Sequence, residues 1–221
     1  MVELDHVLLA VCDLDVAGTA LAEMYGLPVI EGGVHPGWGT ANRIVPLRDA
    51  YLELIAVVDA REASKTPFGR WVADGASDTG SPIGWAVRPR DLDATTQRLG
   101  LSPQEGSRQT PRGELLRWRS AGIEEAVREP SLPFFIEWAL GTAYPGAISG
   151  DEPPSASISR LEIDGDPTAL SAWLGNHSIP LRVSRGRPAL RRVVLAPRPG
   201  VERAAGKGDG EIVLGEPSKL G

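Results

Sequence analysis

Cysteine, excess basic charge and long apolar runs are all lacking or scarce in this chain, and each scarcity removes a class of protein. One cysteine, Cys12, in 221 residues rules out an internal disulfide framework and any thiolate cluster around a metal. It fits a reducing compartment, so the expected location is cytoplasmic. Three lysines beside twenty arginines give 23 basic against 29 acidic groups and a formal net charge of −6. No basic run breaks that balance, which argues against nucleic acid as a partner. Long apolar runs are missing too. The longest near the N-terminus, Val7 to Cys12, follows Glu3 and Asp5 and reads as neither a signal peptide nor a membrane span, so no membrane partner is expected. Gly206-Lys207-Gly208 lacks the spacing and the hydroxyl of a phosphate-binding loop, and no serine stands between glycines in the hydrolase pattern.

What is present points to a folded domain of short elements. Apolar residues make up 42% and charged residues 24%, the balance of a soluble globular protein. The 26 glycines and 19 prolines disfavour a helical bundle, because both residues break helix interiors.

The informative feature is an internal repeat. Leu4 to Val11 reads as a strand, and Asp13-Leu14-Asp15 then caps a helix with apolar residues at Val16, Ala20, Leu21 and Met24. Seventy-eight residues on, Ile83 to Arg88 is followed by Asp91-Leu92-Asp93, with Leu99 answering Leu21. Beyond the helix the offset drops to 74, where Gly26-Leu27, Glu31-Gly32 and Gly39 meet Gly100-Leu101, Glu105-Gly106 and Gly113. A loss of four residues is one α-helical turn, which keeps the buried face in place. Each copy continues into strands, Thr40 to Leu47 and Tyr51 to Val57 in the first, Glu114 to Arg119 and Phe134 to Leu140 in the second. A weaker third copy starts at Ile158. Between the copies, Asp59 to Ser81 is expected to hold one short helix around Phe68 to Ala73 and to cover a pocket, and Ala143 to Ser157 reads as a linker.

Paired strand–helix–three-strand modules, with Leu4-Asp5-His6-Val7 on the first strand and Tyr51-Leu52-Glu53-Leu54 on the last, resemble the vicinal oxygen chelate superfamily of glyoxalases and extradiol dioxygenases. Within it, His35-Pro36-Gly37-Trp38-Gly39-Thr40-Ala41-Asn42 and Leu132 to Trp138 are similar to the glyoxalase-like domain family. The resemblance implies an α+β fold in which paired βαβββ modules form curved mixed sheets around a cavity. The expected organisation is a first module over 1–58, a connector over 59–81, a second module over 82–140, a linker over 141–157 and a third, degenerate module over 158–215.

Carried over by position, the resemblance makes His6, Glu53 and Glu137 metal ligands. Gly84, seventy-eight residues beyond His6, replaces the fourth. It thereby implies one divalent ion, Mn, Fe, Ni or Zn, or the loss of that ion in this chain. The residues themselves support singling out both glutamates, since each lies mid-strand between apolar faces, where an unpartnered carboxylate costs several kcal/mol. His35 and Glu137 are the candidate catalytic groups. Trp38, Asn42, Arg43, Trp85 and Arg117 are the candidate substrate contacts, with Arg43 and Arg117 at equivalent positions. Cys12 is expected as a small packed residue. Three functions remain open: an enzyme using a metal as a Lewis acid on a small oxygenated metabolite (lyase, isomerase or dioxygenase), a metal-free sequestering protein, and an assembly role for the third module. The third module carries Arg160 and Glu211 near ligand positions, which are expected to pair with each other. It is expected to pack on the first two modules or across a homodimer.

Overall fold

A computed structural model describes residues 1–110, 113–142, 144–147, 154–198 and 210–215. Gly206-Lys207-Gly208 and residues 143 and 148–153 of the expected linker lie outside the described residues. The first repeat folds as β1 (Val2–Ala10), α1 (Leu14–Tyr25), β2 (Ile30–His35), β3 (Thr40–Pro46) and β4 (Tyr51–Val57). Helices α2 (Ala60–Ala63) and α3 (Pro67–Gly75) follow. The second repeat is β5 (Ser81–Pro89), α4 (Leu92–Leu99), β6 (Gln104–Gln109), β7 (Leu115–Ala121), α5 (Ile123–Arg128) and β8 (Phe134–Trp138). The third is β9 (Ala156–Asp164), α6 (Pro167–Leu174), β10 (Leu181–Ser184), β11 (Ala189–Pro197) and β12 (Ile212–Gly215).

The same chemistry sets the helix ends in both barrel repeats. Asp13 Oδ1 accepts from the backbone N–H of Asp15 and Val16 at 2.8 and 3.0 Å, and Asp91 Oδ1 accepts from that of Ala94 at 2.8 Å. Both helices stop at a glycine in the left-handed region, Gly26 at φ 65° and Gly100 at φ 67°. Helix α1 has 12 residues and α4 has eight, the one-turn shortening that the repeat requires.

The first eight strands close into a barrel in the order β1-β4-β3-β2-β6-β7-β8-β5. Each repeat supplies four neighbouring strands, and the halves join along antiparallel β1/β5 and β2/β6. Alternation then sorts the side chains. On β4, Leu52, Leu54 and Ala56 join the outer core with Leu21 and Leu27 of the first repeat, while Tyr51 and Glu53 face the barrel interior. Each fully buried leucine of that core contributes about 1.5–3 kcal/mol.

The third repeat forms a separate sheet, β10-β9-β11-β12, most of whose buried residues, among them Leu161, Ile163, Val193 and Leu195, belong to the same outer core. Trp173 of α6 donates to the Pro133 carbonyl at 2.8 Å and tilts over Phe135 at 5.7 Å. On its exposed side, Arg160 Nη1 donates to both Glu211 oxygens at 2.8 and 2.9 Å and Nε donates to Glu162 at 2.9 Å, so the expected charge pair forms. Among the described residues no helix is long and apolar enough to cross a membrane.

Several expectations need correction. The connector holds two helices instead of one, and α3 places Phe68, Trp71 and Val72 against the barrel core. Helix α5 was not anticipated, although Ile123, Ala126 and Val127 carry the i, i+3, i+4 spacing that signals it. Cys12 is exposed, and hydrogen bonding to Asp78 pushes its thiol pKa up.

Candidate functional site

The polar half of the barrel interior comes from the first repeat. Between Leu4 and His6 the β1/β5 register slips, leaving Asp5 without a partner on β5. Such a bulge re-aims side chains, and both Asp5 and His6 are buried. His6 Nδ1 lies 2.6 Å from Asp5 Oδ1 and Nε2 lies 3.3 Å from Glu53 Oε2. With Nδ1–H directed at Asp5, Nε2 and the carboxylate face each other as acceptors unless a proton lies between them. The His6 ring stacks on Tyr51 at 4.8 Å and meets Phe134 edge-on at 5.5 Å. Asp5 Oδ2 also accepts from Trp138 Nε1 at 3.0 Å and lies 3.4 Å from Arg88 Nη1.

Glu53 is the centre of this group. Its Oε1 accepts from Asn42 Nδ2 at 2.6 Å and stands 3.7 Å from His35 Nε2. Nδ1 of His35 pairs with Thr40 Oγ1 at 2.9 Å. Burial drives the His35 pKa down to about 4, with nearby Arg108 and His6 adding to the effect and Glu53 opposing it, so this imidazole is neutral at pH 7. Burial, reinforced by Asp5 and Glu53, holds the Tyr51 phenol well above its usual range. Asn42 Oδ1 accepts from Gly33 N–H at 2.9 Å and from Arg108 Nη1 at 3.1 Å. A Cβ on Gly33 would stand 2.1 Å from the Gln109 carbonyl, so only a bare backbone lets β2 approach β6 here.

The second repeat supplies Arg108 and an apolar wall of Trp118, Ile123, Phe134, Ile136 and Trp138, which Trp38 and Phe68 complete. The free volume is about 40 Å³, room for roughly three waters. Gly84, at the position that mirrors His6, is occupied from the side: a Cβ there would lie 2.2 Å from Trp71 Cη2.

Of the residues singled out in the sequence, the structure brings His6, His35, Trp38, Asn42 and Glu53 together around this cavity. Four do not line it. Glu137 points to the outer face, where Arg119 Nε donates to it at 2.9 Å and Arg119 Nη1 donates to Asp93 at 2.9 Å. The reason is a one-residue slip. Arg43 stands across from Leu54 and pairs with Asp15 of α1, as Arg119 stands across from Glu137 and pairs with Asp93 of α4. Glu137 therefore corresponds to Leu54, and a shift of one residue moves a side chain to the other side of a sheet. The same pairing corrects the equivalence of Arg43 with Arg117: its counterpart is Arg119. Arg43 is committed to its outer-face ion pairs, Arg117 is exposed beside Ser107, and Trp85 is fully buried in the outer core, donating to the Ser131 carbonyl at 3.3 Å. Trp85 sits at an odd step between Gly84 and Ala86, so alternation turns it outward.

Sequence reasoning missed three members of the site. Tyr51 was visible in the alternation with Glu53 but was given no role. Asp5 was hidden by a bulge. Arg108 sits in the polar run Gln104 to Gln109, which reads as an exposed strand.

These side chains do not fit a four-ligand metal centre. His6 and Glu53 occupy two ligand positions, while the mirrored half offers Gly84 under Trp71 and an apolar wall. Among the described residues no group of three or more His, Cys, Asp or Glu is placed to hold a metal ion.

The sequence matches the family model of the glyoxalase-like domain over residues 4–177. The chain belongs to the glyoxalase-like domain family. No curated protein matches it. Among solved structures, a hypothetical protein from Staphylococcus aureus shares the fold with a TM-score of 0.65 at 16% identity, over 86% of this chain and 88% of that one. Methylmalonyl-CoA epimerase from Streptomyces coelicolor, in complex with 2-nitronate-propionyl-CoA, gives 0.46 at 19% identity over 64% and 97%. The Mycobacterium tuberculosis methylmalonyl-CoA epimerase gives 0.43 at 21% over 62% and 86%.

Proposed function

We propose that the barrel interior binds a small oxygenated metabolite and moves a proton within it, with Glu53 as the base. One observation carries this reading: a buried carboxylate faces two imidazoles, at 3.3 and 3.7 Å, and all three line one cavity. Glu53 takes a proton from a carbon beside the ligand carbonyl, and the electron pair moves onto the carbonyl oxygen. His6, oriented by Asp5, is the second proton carrier, and neutral His35 is able to donate to the developing oxyanion. Return of the proton to the same or a neighbouring carbon completes an isomerisation, and loss of a leaving group instead completes a lyase reaction. In this reading the modules over 1–58 and 82–140 build the site together with Phe68 of the connector, and 158–215 does not line the cavity.

The test is proton exchange. The protein, purified without a polyhistidine tag, is incubated in D2O with hydroxyacetone, methylglyoxal and pyruvate, each of which carries a C–H beside a carbonyl, and carbon-bound deuterium is followed by NMR. Exchange should fall about 10²–10⁴-fold in Glu53→Gln, the usual contribution of a positioned base. Exchange equal in wild type and Glu53→Gln would refute the role of Glu53. The metal-assisted alternative, with His6 and Glu53 as half of a ligand set, requires exchange to rise on adding Mn, Fe, Ni or Zn ions. A sequestering role is favoured by the aromatic wall, and it requires saturable binding with no exchange of any compound.

A further inference from the structure

Arg108 is 3% exposed, and among the described residues its one hydrogen bond is the donation from Nη1 to Asn42 Oδ1 at 3.1 Å. No described carboxylate lies within ion-pair distance of it. A guanidinium has five N–H donors, so most of the donors of this one have no partner among the described residues. A buried, unpaired charge costs several kcal/mol, and burial does depress the Arg108 pKa, with Tyr51 and Glu53 opposing the effect. Other arginines of this protein are placed differently: Arg43, Arg119 and Arg160 are partly exposed and each meets carboxylates.

The arrangement around Arg108 keeps it from collapsing onto Glu53. Asn42 stands between them, accepting from the guanidinium with Oδ1 and donating to the carboxylate with Nδ2 at 2.6 Å. Gly33 N–H also donates to Oδ1 at 2.9 Å, which fixes the direction in which the amide faces. An amide spacer thus holds a cation and a base on one cavity without letting them neutralise each other. Arg108 comes from the second repeat and Glu53 from the first, so the two groups address a ligand from different halves of the barrel.

We infer that Arg108 is the anchor for a carboxylate, and that the ligand is a short oxo- or hydroxycarboxylate. This rests on the proton-transfer reading above and adds the ligand's charge and size. A carboxylate accepts two parallel N–H bonds from a guanidinium, which supplies the partner that Arg108 lacks. Anchored there, the rest of the acid lies toward Glu53 and the two histidines, and the proton is taken from a carbon that bears hydrogen: the one beyond the keto group in an oxoacid, the hydroxyl-bearing one in a hydroxyacid. The small free volume of about 40 Å³ favours short acids over long ones.

The experiment is isothermal titration calorimetry of the full chain with four probes: pyruvate and glycolate as acids, hydroxyacetone and glycolamide as uncharged counterparts. Wild type should bind the acids saturably and at least tenfold more tightly than the uncharged pair. Arg108→Gln should lose that preference, and Arg108→Lys should retain part of it, because a lysine keeps the charge without the fork. If Arg108→Gln does not fold, the preference of wild type and of Arg108→Lys still decides. Equal binding of acids and uncharged probes, or acid binding unchanged in folded Arg108→Gln, would overturn the anchor and leave the small-molecule cavity standing. Binding of none of the four to wild type would overturn both.

Discussion

Substituting Gly84 by alanine tests whether Trp71 has taken over the space of a vanished side chain. The added Cβ would lie 2.2 Å from Trp71 Cη2 and 2.7 Å from Cζ2, well inside any ordinary carbon contact. Trp71 is 9% exposed and packs in the inner core with Phe68 and Ile83, so the ring has to tilt and drag α3 with it. Overpacking of this kind costs about 1–3 kcal/mol. For a chain of this size the melting temperature falls roughly 2–4 °C per kcal/mol, so Gly84→Ala should melt about 2–12 °C below wild type. Trp71→Ala alone should cost about 3–5 kcal/mol, the usual range for emptying a large aromatic site. The decisive quantity is the coupling. In the Trp71→Ala background the clash is gone, and Gly84→Ala should cost no more than about 0.5 kcal/mol, the limit within which uncoupled changes add. The four proteins are compared by circular dichroism in urea and on heating. If Gly84→Ala destabilises both backgrounds equally, Trp71 does not fill the position that mirrors His6, and the argument against a complete metal site loses its steric support.

Two other perturbations read the site from its polar side. His35 has its pKa lowered in the fold to about 4 from 6.5, so between those values the unfolded chain binds more protons. Its contribution to stability is full above pH 6.5 and is lost as the pH falls toward 4, by roughly 3 kcal/mol in total. Urea midpoints across pH 4–7 should show that loss, and His35→Gln should flatten it; an unchanged slope would show that His35 is not the group responsible. Glu137→Gln should leave exchange, acid binding and melting temperature close to wild type, because its partner Arg119 keeps Asp93 on an exposed face. A large loss of binding in that variant would put Glu137 back in the site.

Legibility of the fold differed by element for physical reasons. The repeat was readable because its punctuation is local: an aspartate cap, an apolar helix face and a left-handed glycine recur in order, and each acts within one turn of chain. His6 and Glu53 of the first half of the site were equally legible, since Glu53 alternates strictly with Tyr51 and Ile55 and His6 lies on the neighbouring strand. The second half depended on register. Ile136-Glu137-Trp138 aligns with Leu52-Glu53-Leu54 by eye, yet the pairing of Arg119 with Glu137 sets the opposite parity. No local signal distinguishes those two alignments. Asp5 is inward because of a bulge and Arg108 because two halves of the barrel meet, and both are properties of strand contact between distant segments.

That meeting of halves has a mechanical side. Strands β1 and β5 are matched along eight residue pairs, whereas β2 and β6 touch through the single pair Val34 and Gln109. The ring of strands is therefore less a hoop than a clasp, with a long hinge opposite a narrow catch. What reinforces the catch is polar and interior: the link from Arg108 to Asn42, and the bare backbone of Gly33 against Gln109. An occupant that draws the guanidinium to itself tugs on the link that holds the catch closed. On the anchor reading, filling the barrel and fastening it draw on the same few atoms.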